Sequence, residues 1–138
     1  MNQSLNALMT KLAWQENELI SHLQAAENES LLLMKQLQEI EEQLNKSCIA
    51  PQRINPEFEI NRLNFITQQH EHNDSLLLDL KNNQILEIKL KDKILRVKTE
   101  RKMIEKYLER EVITQKKLQN KVQEQALDEW VIQKRNPV

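Results

Sequence analysis

The amino-acid sequence predicts an all-α protein: an antiparallel two-helix coiled-coil hairpin with a longer second helix. Three observations lead there. Two of the three prolines fall between residues 47 and 56. The 138 residues include no glycine, so few other places offer an easy turn. On both sides of the proline stretch apolar residues recur at steps of three and four, the spacing of a helical stripe. Charged residues make up 30% and aromatics 4%, a profile of long helices rather than of a compact core. The expected organisation is one domain, residues 1–138, with helix 1 at about 3–46, a hinge at 47–56 and helix 2 at about 57–134.

The hinge reads Ser47-Cys48-Ile49-Ala50-Pro51-Gln52-Arg53-Ile54-Asn55-Pro56. Each proline lacks an N–H, clashes with a preceding helical turn, and pushes the residue before it out of the α region. A helix therefore stops near Lys46 and another starts near Glu57. Asn55 is the expected N-cap. Pro56 then occupies the first helical position, with Glu57 and Glu59 in the first turn, where acids suit the helix dipole.

In the first arm the stripe runs Leu5, Leu8, Leu12, Leu19, Leu23, Leu33, Leu37, Ile40 and Leu44, with Gln15, Ala26 and Ser30 filling the gaps. Two successive steps of four, Gln15 to Leu19 to Leu23, predict a stutter in the coil. Leu31 and Leu32 widen the stripe. Trp14 lies off it, and reads either as a half-buried flank residue or as a partner contact.

The second arm opens on a broad apolar face, Phe58, Ile60, Leu63, Phe65 and Ile66. Residues 68–75 are polar, and Asp74 and Ser75 could cap a fresh helix, so the sequence leaves a break near His72 open. The clearest heptads follow: Leu90, Val97, Ile104, Glu111 and Leu118 on one seam position, Ile94, Arg101, Leu108, Gln115 and Val122 on the other. A turn at the hinge pairs residue n with about residue 103 − n, so that Leu5 faces Lys98. From Glu100 onward the second arm then has no partner in the chain. It nevertheless keeps a stripe, Ile104, Leu108, Leu118, Val122, Leu127 and Val131. An apolar stripe with nothing over it predicts a partner protein. The end, Leu127-Asp128-Glu129-Trp130-Val131-Ile132, sets an acidic pair beside a tryptophan. It is either an interface anchor or a tip that folds back onto the hairpin.

Charge is unevenly spread. Residues 1–46 hold three bases and seven acids, −4; residues 47–80 two and five, −3; residues 81–138 fifteen and nine, +6. Acid and base alternate within Lys89–Lys106 with only Tyr107 nearby, which reads as a solvated coiled-coil face and not as a nucleic-acid surface. His70 and His72 are two apart and point to different sides of a helix, so no metal site is expected. No phosphate-binding loop, cysteine–histidine pairing or cofactor motif is present, so no enzyme and no cofactor are expected. The single cysteine, Cys48, fits a reducing compartment. No apolar run is long enough for membrane insertion and no signal peptide is recognisable, so a cytoplasmic protein is expected.

With this layout the chain resembles the small coiled-coil stalk proteins of type III secretion, the flagellar FliJ-like family and its injectisome counterparts YscO and SctO. Two stretches carry the likeness beyond layout. Ile60-Asn61-Arg62-Leu63-Asn64-Phe65-Ile66 looks like the flagellar family's segment after the hinge. Leu127-Asp128-Glu129-Trp130 looks like its Asp-Glu-Phe near the C-terminus, and Glu129–Arg135 resembles the tail of an injectisome member.

The resemblance implies a non-enzymatic central stalk at the cytoplasmic face of an inner-membrane export apparatus. Its tip, here Leu127, Asp128, Glu129 and Trp130, would enter the pore of a hexameric secretion ATPase. Its hinge-side half, here Leu63, Phe65 and Ile66, would reach the cytoplasmic domain of the export gate. Some members also bind secretion chaperones. Gln69 departs from the pattern, standing where the flagellar family can carry an apolar residue. The alternative is a helical secretion chaperone or a coiled-coil tether. Neither flagellum nor injectisome is singled out.

Overall fold

The computed structural model describes residues 2–47 and 55–135. They form two helices, α1 (Asn2–Ser47) and α2 (Pro56–Arg135), with no strand among the described residues. The fold is all-α and consistent with a helical hairpin. Cys48 and Pro51 lie outside the described residues. At 80 residues against 46, α2 is much the longer.

Local chemistry explains where α2 begins. The Glu57 amide donates to Asn55 Oδ1 at 3.2 Å, and the Glu59 amide donates to the Asn55 carbonyl at 2.9 Å. Asn55 is thus an N-cap with proline at the first helical position and acids in the first turn. No break occurs near His72: α2 is continuous through the polar residues 68–75. Asp74 and Ser75 accept helical positions there, since no proline or glycine ends the hydrogen-bonded ladder.

The helices contribute to two compact units, one of Met1–Gln15 with Arg96–Val138, the other of Glu16–Leu95. In the second unit the covered positions of α1 are Glu16, Leu19, Leu23, Ala26, Ser30, Leu33, Leu37, Ile40, Leu44 and Ser47, with Ile20 on the flank. Those of α2 are Glu59, Arg62, Ile66, Gln69, Asn73, Leu76, Leu80, Asn83, Glu87, Leu90 and Ile94. Steps of three and four alternate without exception along both sets, as in coiled-coil seams. Leu33, Ile40 and Leu76 form a buried apolar cluster, with Leu37, Leu44 and Leu80 packed against it.

In the first unit the covered positions are Leu5, Met9 and Leu12 of α1, flanked by Ala13 and Gln15, and Val97, Arg101, Ile104, Leu108 and Glu111 of α2. From Val112 to Arg135 every residue is exposed.

Three expectations change. First, there is no stutter. Met9 and Glu16 take the covered positions expected of Leu8 and Gln15, so four–three alternation holds from Leu5 to Ser47. Glu16 is only 6% exposed. An unbroken heptad keeps every later leucine of α1 on the seam, and that outweighs placing one acid there. Second, the pairing register is later than 103 − n. Ser47 meets Arg62, Ala26 and Ser30 meet Asn83, and Ser30 meets Glu87, so paired numbers sum to between 109 and 117. The first turn of α2 is exposed except for Glu59, and pairing starts only at Arg62. Third, the uncovered part of α2 begins at Val112, not at Glu100. Trp14, meanwhile, is exposed rather than half-buried.

Candidate partner-binding surface

The seam of the second unit is stitched by polar side chains. Asn83 Nδ2 donates to the Ala26 carbonyl and to Ser30 Oγ, both at 2.6 Å, and Ser30 Oγ donates to Glu87 Oε1 at 2.6 Å. Nearer the turn, Arg62 Nη1 donates to the Ser47 carbonyl at 2.7 Å, while Nη2 pairs with Glu59 Oε1 at 2.6 Å. These contacts step back along α1 as they step forward along α2. Because a hydrogen-bonded polar group tolerates only one opposite neighbour, they set the pairing more narrowly than leucines do.

Most of the exposed large apolar side chains of the first unit lie in segment 112–135. Val112, Ile113, Leu118, Val122, Leu127, Trp130, Val131 and Ile132 are all exposed. Leu118 and Val122 continue the seam. Leu127 and Val131 do not: at about 100° per residue on an unbroken helix they lie roughly 140° and 180° round from Val122. The stripe read from the sequence as one line therefore changes sides between Val122 and Leu127. At the tip apolar side chains point to several sides of one helix. Asp128 and Glu129 are exposed among them, and Lys134 Nζ sits 4.2 Å from the centroid of the Trp130 ring, one helical turn on. Trp130 itself is 53% exposed. The tip does not fold back over the rest of its own unit.

At the start of α2 the three residues expected to act together divide. Ile66 is half-buried on the seam. Leu63 and Phe65 are exposed, and their positions either side of the seam residues Arg62 and Ile66 place them on opposite flanks. One part of the broad face read from the sequence, which held both phenylalanines, stays together. Phe58 lies one heptad before Phe65 on the same flank and is also exposed, so the chain's two phenylalanines share a side.

Other features carry less. No helix among the described residues is long and apolar enough to cross a membrane. No group of three or more His, Cys, Asp or Glu side chains among them could hold a metal ion, and His70 and His72 are both exposed. Comparison with protein-family models, curated proteins and solved structures finds no match.

Proposed function

We propose that the two helices form an antiparallel coiled-coil stalk that acts without catalysis. In this reading it works at the cytoplasmic face of a type III secretion export apparatus, between a hexameric ATPase and the export gate. The observation that supports this reading best is the bare end of α2. Its exposed apolar side chains face several directions instead of one. A flat partner, or a third helix lying alongside, would leave some of them in water. A ring that encloses the helix would cover them all. Asp128 and Glu129 suit a pore lined with bases, and Trp130 supplies the apolar area of an anchor. The resemblance of Leu127-Asp128-Glu129-Trp130 to the family's tip points the same way. Phe65, with Phe58 on its flank, is then the face offered to the gate.

The test is co-purification with a cognate hexameric ATPase and its hydrolysis rate with and without the stalk. Ending the chain after Gln125 removes the tip but none of the covered seam residues. Stimulation should vanish while the thermal midpoint holds. Full stimulation by the shortened chain would remove the tip from the contact.

A further inference from the structure

α2 has a second apolar stripe, on the side away from α1. Leu78, Lys81, Ile85 and Ile88 follow one another at steps of three, four and three. Each falls between covered seam residues. Leu78 stands two past Leu76 and two before Leu80, and Ile85 likewise between Asn83 and Glu87. Such positions lie on the outer face of a helix. Leu78, Ile85 and Ile88 are exposed accordingly, Ile88 at 61%. A surface helix with its apolar seam already buried has no need of a second one.

The stripe's spacing indicates what could cover it. It is the seam pattern of a coiled coil, and it is narrow, about one large side chain per turn. A membrane surface favours a wide apolar face with aromatic residues, and no aromatic occurs between residues 66 and 106. The charges indicate the partner's sign. Lys81 sits in the stripe, and Lys89 and Lys91 stand beside its C-terminal end, all exposed. Within Leu78–Lys91 the exposed acid is Asp79, against three exposed lysines, while Asp74 and Asp92 bound the stripe one turn before Leu78 and one turn after Ile88. Glu87 is on the seam, accepting from Ser30 Oγ.

We propose that the outer face of α2 at Leu78–Lys91 docks an amphipathic α-helix of another protein, one with apolar residues at three–four spacing flanked by acids. The site lies wholly within Glu16–Leu95, apart from the bare tip, and does not depend on what the tip binds.

The full-length chain is titrated with two synthetic helical peptides of three heptads, with identical leucine seams but glutamate or lysine flanks, and binding is followed by fluorescence anisotropy. The glutamate peptide should bind at least tenfold more tightly than the lysine peptide. The double variant Ile85→Ser/Ile88→Ser should lose that binding without a change in melting temperature, both side chains being exposed. Lys89→Glu/Lys91→Glu keeps the stripe and should reverse the peptide preference. Equal affinity for both peptides, or undiminished binding by the serine variant, would overturn the proposal. So would sedimentation showing a self-associated chain that the serine variant renders monomeric, because the occupant would then be a second copy. Pelleting with phosphatidylglycerol vesicles that depends on Ile85 and Ile88 would overturn it in favour of a membrane surface.

Discussion

Arg62 ties two helix ends together. It reaches the last carbonyl of α1 at Ser47 and the Glu59 carboxylate one turn back on its own helix. A cation at a helix C-terminus meets unsatisfied carbonyls and the negative end of the dipole. Its side chain is 28% exposed, which tempers the energy. Arg62→Ala should lower stability to urea by about 1–2 kcal/mol, less than a fully buried charged hydrogen bond would give. Arg62→Lys should fall between, because one ammonium cannot hold both acceptors in fixed geometry. A midpoint unchanged in the alanine variant would show the tie to be energetically idle. The same scale holds the Asn83–Ser30–Glu87 chain. Asn83→Ala leaves Ser30 without its donor and part of the seam unfilled, and should cost about 1–3 kcal/mol in the same assay.

Along the single element α2, burial separates two kinds of leucine that look alike in sequence. Leu90 is 7% exposed on the seam, whereas Leu118, four heptads along the same pattern, is exposed. Leu90→Ala should therefore destabilise the protein by about 2–3 kcal/mol. Leu118→Ser with Val122→Ser should stay within about 0.5 kcal/mol of the parent, as surface changes do. Chemical denaturation followed by circular dichroism distinguishes them. Comparable losses in both variants would mean that residues 112–135 are covered in solution. The helix itself persists through 112–135 without a partner, where good helix formers such as glutamine, lysine, leucine and glutamate predominate and neither proline nor glycine interrupts it.

Taken as a whole, the molecule divides its exposed apolar surface between the two units, and the proposed partners divide with it. Phe65 belongs to Glu16–Leu95 and Trp130 to the other unit. Phe65→Ala should weaken binding to the cytoplasmic domain of a cognate export gate about tenfold, as an exposed aromatic anchor would, and leave ATPase stimulation intact. Helicity should change little, since Phe65 is 40% exposed. Loss of the tip should do the reverse, abolishing stimulation and sparing gate binding. Unaltered gate affinity in the alanine variant, measured by calorimetry, would take Phe65 out of the contact.

Much was legible in the residues alone. The lack of glycine, the proline pair and the three–four spacing determined that there are two long helices. Asn55-Pro56 with Glu57 and Glu59 determined where the second begins. These are local matters: a cap, a missing N–H and a periodicity act over a few residues, so the chain carries them in plain view. The register and its consequences could not be read in this way. Whether Leu8 or Met9, Gln15 or Glu16 faces the partner differs by one step on the helix, and apolar content settles neither choice, both residues of the first pair being apolar and both of the second polar. Only the opposing helix decides it, through the requirement that every later seam residue stay in line. How far α2 is covered likewise depends on where pairing begins, at Arg62 rather than Glu57, and that shifts the bare segment to Val112. The tertiary structure also decided that Leu63 and Phe65 lie on opposite flanks and that Leu127 and Val131 leave the seam line. Position on a surface is fixed by what the rest of the helix must bury, a quantity summed over many residues and two elements.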